Sequence, residues 1–350
     1  MTNVKKLSFI IPCFNSNRYI RECIDSLYKQ DILEEYYEIV AVNDDSTDNT
    51  KEILLEYQYN HKNFIIIDHE QNKGQGSARN TGLSFAKGDY IWYIDHDDYI
   101  QSNILSFLLD LLNENNLDLL QFNYTEVDEK GESIKIIKTG NSEIDNISGI
   151  EFVNSLGPYF LNSYNMSVWA RIYNRKFLVN NKFKFDKIRI FEDLEYSLRT
   201  LLFADKIKLI ENHLYYYRIH NASTMKIFEK TIKGDFIYFS SICSGLNLIK
   251  LGIELRTKDS SVSHLICDGG IWRLNSMKKQ ILLSTSQSRR LFYSLLKVND
   301  EREKIYEFCN SFNFVLLKYP VLSSFVLFFI SPFLRLVKKI RVNRHLWILK

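Results

Sequence analysis

The sequence has few of the residues that interrupt or cross-link a chain. Its 350 residues include four prolines and 13 glycines, which leaves no room for a low-complexity linker. Its five cysteines are scattered and include no C-x-x-C pair, so we expect reduced thiols in a cytoplasmic protein rather than a disulfide framework or a zinc site. Hydrophobic residues at 45% and charged residues at 25% are typical of globular proteins. This composition excludes disordered, collagen-like and polytopic membrane proteins, and the length suggests about two domains.

Charge is unevenly distributed along the chain, since no acidic residue and seven basic residues follow Glu307. The net charge of the whole chain is +3, so residues 1–307 have a net charge of −4. A nucleic-acid binder would place its basic residues over a folded face, and no nucleic-acid partner is expected. The uncharged run Tyr319–Leu334 is shorter than the roughly 20 residues of a membrane-spanning helix. With its basic flank, this run predicts that a tail of about 312–350 lies on an anionic membrane surface. A buried hairpin is the alternative.

Short apolar runs alternate with helical periodicity over the first 125 residues. The runs are Leu7–Ile11, Ile39–Val42, Phe64–Ile67, Tyr90–Ile94 and Leu117–Phe122. Near-continuous apolar strands of this length favour a sheet buried on both faces, and the alternation predicts an α/β domain with a mostly parallel sheet flanked by helices. Residues 126–160 are polar and are predicted to be irregular, and a mainly helical pattern is expected after them. In such sheets, ligands bind at the carboxyl ends of the strands.

Polar motifs follow the first three of these strands. Pro12 to Asn15 follows the first, and the acidic string with Asp44 follows the second. A carboxylate there can accept hydrogen bonds from a base or a ribose, whereas helix capping by the same string is the alternative. The loop Asn72–Asn80 opens a helix, but Arg79 stands where a dinucleotide fingerprint requires glycine. Arg79 is interpreted as a cation for phosphate or base, with a surface ion pair as the alternative.

The strongest signal is Asp95-His96-Asp97-Asp98, directly after an apolar strand. Three carboxylates in four residues repel one another unless a cation lies between them. Mg²⁺ and Mn²⁺ take oxygen ligands and bridge to substrate phosphates, so this turn predicts a divalent metal site. A solvated acidic turn is the alternative.

Further candidates lie in the second half of the chain. Glu192 and Asp193 stand where a helix begins. They either stabilise the helix N-terminus through its dipole or provide a general base for catalysis. Arg218 and His220 follow another apolar strand, and the role of His220 stays open.

Taken together, these motifs resemble the family 2 glycosyltransferases with a GT-A fold. The matching strings are LSFIIPCFN, EIVAVNDDSTD, NKGQGSARNTGL, AKGDYIWYIDHDD and FEDLEYSLR. They cover roughly residues 5–225, and their joint order and spacing are far more specific than any one motif. The resemblance implies a GT-A domain over 1–225, with a nucleotide-binding part of about 1–125 and an acceptor part of about 126–225. Residues 226–350 would form a mainly helical C-terminal region.

The resemblance also implies an inverting, metal-dependent transfer of one sugar from a nucleotide-sugar, with UDP favoured, to a glycan or lipid-linked acceptor. Such members build bacterial surface polysaccharides at the cytoplasmic face of the membrane. The resemblance assigns nucleotide-sugar binding to Pro12, Asn15, Asp44, Arg79 and Asp95, a metal ion (Mn²⁺ or Mg²⁺) to Asp97, and general-base catalysis to Asp193. It also implies acceptor-side or auxiliary roles for Asp98, Glu192, Trp169, Arg218 and His220. The role implied for Trp169 is stacking on a sugar ring, with core packing as the alternative.

Three features depart from the family pattern. Asn43 and Asp45 stand where Asp and Gly are common, and His96 replaces a small residue. There is no Q-x-x-R-W string, since Trp272-Arg273 is not one, so processive polymer synthesis is not expected. Two other functions stay open: a catalytically silent sugar-nucleotide or glycan-binding module, and a sugar nucleotidyltransferase. The second would carry a glycine-rich phosphate loop after the first strand, which this chain lacks there.

Overall fold

The computed structural model describes residues 6–140, 144–156, 167–186 and 192–220, together with short stretches between 244 and 270. Contacts along the chain divide it into two compact units, residues 1–230 and 231–350. The described stretches of the second unit are mostly helical. The predicted membrane-surface tail of about 312–350 lies outside the described residues.

The first unit is built on a single mixed sheet with helices packed on it. Its strands are β1 (Leu7–Cys13), β2 (Tyr37–Asn43), β3 (Phe64–Asp68), β4 (Tyr90–Tyr93), β5 (Tyr99–Ile100), β6 (Leu119–Val127), β7 (Ser133–Ile137), β8 (Ile144–Ile147), β9 (Arg171–Asn174) and β10 (Ile207–Arg218). Its helices are α1 (Ile20–Tyr28), α2 (Thr50–Asn60), α3 (Gln75–Phe85), α4 (Leu105–Asn115), α5 (Gly149–Leu156), α6 (Arg175–Asn180) and α7 (Glu192–Phe203).

The strand order is β3-β2-β1-β4-β9-β6-β10-β5, with β7 on β6 and β8 on β10. The first four strands are parallel, as their apolar runs predict, and all seven residues of β1 are buried. β9 runs antiparallel between β4 and β6, whereas β10 is parallel to β6. Because β2 and β4 flank β1 on opposite sides, the strand order reverses there and opens a crevice at the carboxyl ends of the strands.

Helix α3 lies close to this crevice. It follows Gly74, whose φ of 88° is in the left-handed region that favours glycine. Gly82 lets the helix approach β1, because a Cβ at this position would lie 2.3 Å from the Ile10 side chain. The N-terminal end of α3 is therefore held beside the carboxyl ends of β1 and β2.

Two predictions made from the sequence are wrong. Residues 126–160 are not irregular, because they contain β7, β8 and α5. The helical pattern expected after them is interrupted by β9 and by the 12-residue strand β10. β7 and β8 are short and mostly exposed, so they carry no continuous apolar run.

Among the described residues, no helix is long and apolar enough to cross a membrane. Cys13, Cys23 and Cys267 are free thiols and are buried.

Candidate active site

The predicted base-binding carboxylate, Asp44, lies at the carboxyl end of β2 and is only 2% exposed. The backbone N–H of Lys73 donates to its Oδ1 at 2.9 Å, and that of Gly74 donates to its Oδ2 at 2.8 Å. Asp44 therefore ties the end of β2 to the loop that opens α3. Oδ1 of Asp44 accepts two hydrogen bonds and Oδ2 accepts one, so Oδ2 can accept a further hydrogen bond.

The second donor to Asp44 Oδ1 is His69, a residue that the sequence reasoning missed. Its Nδ1 lies 2.6 Å from Asp44 Oδ1, and its Nε2 lies 2.9 Å from Thr81 Oγ1. The imidazole thus links the ends of β2 and β3 to α3. The sequence signal that could have identified His69 is its position directly after β3, at the carboxyl edge of the sheet.

Pro12 and Asn15 occupy the neighbouring loop after β1. Pro12 is buried within the strand, whereas Asn15 is exposed and has a φ of 50°. Asn15 Oδ1 accepts a hydrogen bond from the Thr47 N–H at 2.8 Å. These contacts join the loops after β1 and β2 into one wall of the crevice.

The predicted phosphate cation, Arg79, is buried and forms an internal double ion pair. Its Nη2 donates to Asp95 Oδ1 at 2.6 Å, and its Nη1 donates to Glu192 Oε1 at 2.9 Å. Gln75 Nε2 donates to the same Asp95 oxygen at 2.9 Å. Burial alone would lower the pKa of Arg79, but Asp95 and Glu192 outweigh it and raise the pKa, so the guanidinium stays charged. The alternative of a surface ion pair is wrong, because Arg79 is 2% exposed.

Asp98 was expected on the acceptor side, but the structure places it in the core with 1% exposure. Its Oδ2 accepts a hydrogen bond from the Tyr215 hydroxyl, and its Oδ1 accepts one from the Arg218 N–H, both at 2.7 Å. Burial and the nearby charges of Asp97 and Asp95 raise the pKa of Asp98 well above its usual value. Asp98 therefore anchors the acidic turn to β10.

Asp97 projects beside His220, whose Nε2 lies 2.8 Å from Asp97 Oδ2. Burial would raise the pKa of Asp97, but the charge of His96 and the hydrogen bond from His220 outweigh it and lower the pKa, so this carboxylate is ionised. Arg218 also contacts this turn, because its Nε donates to the carbonyl oxygen of Asp97 at 3.0 Å. Its Nη2 donates to Glu22 of α1 at 2.6 Å, so Arg218 joins the turn to α1. Within the described residues, no cluster of three or more His, Cys, Asp or Glu side chains forms a metal site.

Asp193 is half-buried in the first turn of α7, next to Glu192. Its negative charge raises the pKa values of both Arg79 and Glu192, which places it beside the internal ion pairs.

Trp169, by contrast, packs in the core: its ring stacks on Tyr215 and Tyr217 at centroid distances of 4.4 and 5.3 Å, and it is 6% exposed. The core-packing interpretation of Trp169 agrees with this position, and little of its ring is left for a sugar.

The crevice therefore collects carboxylates and one buried cation from strand ends and helices that are far apart in the sequence. A sequence model of the family described as "Glycosyl transferase family 2" matches residues 8–187, which is just over half of the chain. The chain belongs to glycosyl transferase family 2. This confirms the family predicted from the five motifs.

Similar proteins include glycosyltransferases of other bacteria. The chain is 32% identical over 216 residues to a poly(ribitol-phosphate) beta-glucosyltransferase of Bacillus spizizenii, and this alignment covers 61% of the chain and 32% of that enzyme. It is 30% identical over 224 residues to the glycosyltransferase GlyG of Streptococcus pneumoniae, covering 63% of the chain and 73% of GlyG. The chain thus matches about a third of the length of the Bacillus enzyme.

The fold of this family 2 member also resembles a solved structure. The crystal structure of residues 1–349 of TarS from Staphylococcus aureus in complex with UDP-GlcNAc superposes with a TM-score of 0.68 at 23% identity. The superposition covers 90% of this chain and 86% of that one. This likeness confirms the predicted GT-A architecture.

Glu192 should make the stability of this family 2 member depend on pH. Burial and the neighbouring charge of Asp193 raise the pKa of Glu192 to about 7, although Arg79 opposes the shift. The folded state therefore holds this proton more tightly than the unfolded state, and the free energy of unfolding falls as pH rises from about 4.5 to 7. Glu192→Gln cannot lose a proton, so its stability relative to the wild type should rise by about 2 kcal/mol between pH 5 and pH 8.

Urea unfolding at both pH values measures this change. Glu52→Gln, an exposed position on α2, is the matched control and should follow the wild type at both pH values. Parallel pH profiles for the wild type and Glu192→Gln would show that Glu192 does not titrate in this range.

Proposed function

We propose that this chain transfers one sugar, a hexose or an N-acetylhexosamine, from a UDP-sugar to a hydroxyl of a glycan or lipid-linked acceptor in bacterial surface-polysaccharide synthesis, with inversion at the anomeric carbon. The observation that carries the proposal is a series of contacts: Asp44 accepts from the backbone at the start of α3, and Arg79 of α3 pairs with Asp95 and with Glu192, the neighbour of Asp193. The name of the Bacillus relative supports transfer of a hexose, and the TarS complex with UDP-GlcNAc supports a UDP-sugar donor. We assign the reaction to residues 1–225 and a mainly helical region to 226–350.

Each donor-side residue has a role that its contacts support. Asp44 keeps acceptor capacity on Oδ2 for the N–H of a pyrimidine base. Asp95 has its Oδ1 occupied by Gln75 and Arg79, so Oδ2 is the atom assigned to a ribose hydroxyl. Arg79 is committed to Asp95 and Glu192, so it would act on the nucleotide through Asp95 rather than by direct contact.

We assign Asp97 to a divalent cation shared with the diphosphate of the donor. The Asp97 side chain is 21% exposed and its Oδ2 is bonded to His220 Nε2, which leaves Oδ1 for the ion. Carboxylate and phosphate oxygens are ligands that both Mn²⁺ and Mg²⁺ accept. When bound, such an ion neutralises the negative charge that grows on the leaving diphosphate.

The chemistry of the transfer then falls to Asp193. Its carboxylate would accept the proton of the acceptor hydroxyl while that oxygen forms the new bond to the anomeric carbon. The bond from this carbon to the diphosphate oxygen breaks on the opposite face, which inverts the configuration. Since base and donor must meet at one carbon, their relative position contributes much of the rate.

The C-terminal tail carries a separate part of the proposal. Its apolar, aromatic run followed by basic residues supports a peripheral position at the cytoplasmic face of the membrane. A lipid-linked acceptor would be presented at this surface.

A thermal-shift panel of UDP, GDP, dTDP and CMP with Mn²⁺ tests the donor site. A ligand that binds only the folded state at about 100 times its Kd adds about 2.7 kcal/mol to the free energy of unfolding. UDP is therefore expected to raise Tm by several degrees, and EDTA or Asp97→Asn should remove most of the shift. A UDP shift that persists unchanged in EDTA contradicts the metal bridge. No shift with any nucleotide contradicts the donor site itself.

A further inference from the structure

One face of α3 contacts both the backbone before residue 187 and the first residue of α7. Gly76, Arg79 and Asn80 share this face because residues three and four positions apart are neighbours on a helix. A Cβ on Gly76 would lie 3.0 Å from both Glu192 Cγ and Phe185 Cβ. The Arg79 guanidinium reaches Glu192 and lies 5.3 Å from the centre of the Phe185 ring. The face is therefore packed tightly against the acceptor half of the domain.

Asn80 forms a two-point clamp on this face. Its Oδ1 accepts a hydrogen bond from the Phe185 N–H at 2.9 Å, and its Nδ2 donates to the Phe185 carbonyl oxygen at 2.8 Å. The side-chain amide thus satisfies both polar backbone groups of one residue that lies 105 positions away. Alanine would remove both bonds, and aspartate would replace the donor with an oxygen that faces the Phe185 carbonyl.

The clamped residue is coupled to α7. The Phe185 ring stacks on Tyr196 with a centroid distance of 3.8 Å and an interplanar angle of 7°. Tyr196 is buried and lies one turn after Asp193 on the same helix. A shift of the Phe185 backbone would therefore move the ring on which the first turn of α7 rests.

We propose that Asn80 is a positioning residue for Asp193. This inference rests on the proposed function, in which Asp193 is the base. The N-terminal end of α3 is bonded to Asp44 through the loop at Lys73 and Gly74, and its Asn80 face is bonded to Phe185. One rigid helix thus sets the distance between the bound donor and the base. A displacement of about 1 Å at a reacting group can cost about 100-fold in rate.

The test uses Asn80→Asp and Asn80→Ala in the full chain, assayed by release of UDP from UDP-glucose and from UDP-GlcNAc. Both variants should release UDP at least about tenfold more slowly at saturating donor. The KM for the donor and the UDP-induced shift in Tm should stay within about twofold of the wild type, because the donor contacts are unchanged. Ser84→Ala, which removes a hydrogen-bonding side chain from an exposed position of the same helix, is the control and should be unchanged.

A double-variant cycle separates positioning from a general effect on the fold. In the Asp193→Asn background the base is absent, so Asn80→Asp should slow the residual release no further. A further tenfold loss there, or a parallel rise in donor KM, overturns the inference. Asn80→Ala takes the place of Asn80→Asp in the cycle if the aspartate variant does not fold.

The remaining outcomes distinguish this inference from the proposed function. Wild-type turnover in both Asn80 variants, with Asp193→Asn inactive, overturns the inference and leaves the proposed function standing. Full turnover in Asp193→Asn overturns the inference and the assignment of Asp193 as the base. No UDP release by the wild type overturns both the inference and the proposed function.

Discussion

Asp193→Asn is expected to lower the maximal rate of UDP release from a UDP-sugar by about 10²- to 10⁴-fold, the usual contribution of a positioned general base. Asparagine has nearly the same shape as aspartate but cannot accept the proton of the acceptor hydroxyl. The UDP-induced shift in Tm should remain, since the proposed nucleotide contacts come from the ends of β2 and β4. Steady-state assays and thermal shifts on the same preparation measure both quantities.

Glu195→Gln is the matched control for this variant. Glu195 lies in the same first turn of α7, so its replacement removes the same charge from the same helix terminus. It forms an ion pair with Arg199 on its own helix, away from the proposed chemistry. A comparable loss of rate in both variants would show that the helix terminus, and not the base, is responsible. An unchanged rate in Asp193→Asn would exclude Asp193 as the base.

Arg79→Met is expected to lower the free energy of unfolding by about 3–5 kcal/mol, because it leaves Asp95 and Glu192 without the buried cation that they share. The loss should be larger at pH 8 than at pH 5, since Glu192, with its pKa near 7, takes up a proton at the lower pH. The rate of UDP release should fall as well, because Asp95 loses a donor that orients it. Urea unfolding at the two pH values measures the stability.

Two companion variants identify the cause. Arg79→Lys keeps the charge, but an ammonium group lacks the planar fork that reaches both carboxylates, so an intermediate loss is expected. Adding Glu192→Gln to Arg79→Met removes one of the unpaired charges, so the double variant should lose less stability than the sum of the single ones. A loss below about 1 kcal/mol in Arg79→Met at pH 8 would contradict the buried pairing.

The parallel half of the sheet could be predicted because its signals are local. β1, β2 and β4 appear as apolar runs, since strands covered on both faces need little else. The start of α7 at Glu192 was also predicted, because acidic residues favour a helix N-terminus. β9 was missed, since only four residues form it and its place between β4 and β6 comes from partners distant in the chain.

The family, the alternation of strands and helices, and the carboxylates that follow β2 and β4 could all be predicted from the amino-acid sequence. Order and spacing carry this information, because each motif occupies a few consecutive residues. How these side chains are used follows from the folded arrangement. Folding pairs Arg79 with Glu192, Asp98 with Tyr215, His69 with Asp44, and Asn80 with the backbone of Phe185. These pairs are 113, 117, 25 and 105 residues apart, and chain folding, not local propensity, brings such groups into hydrogen-bonding distance.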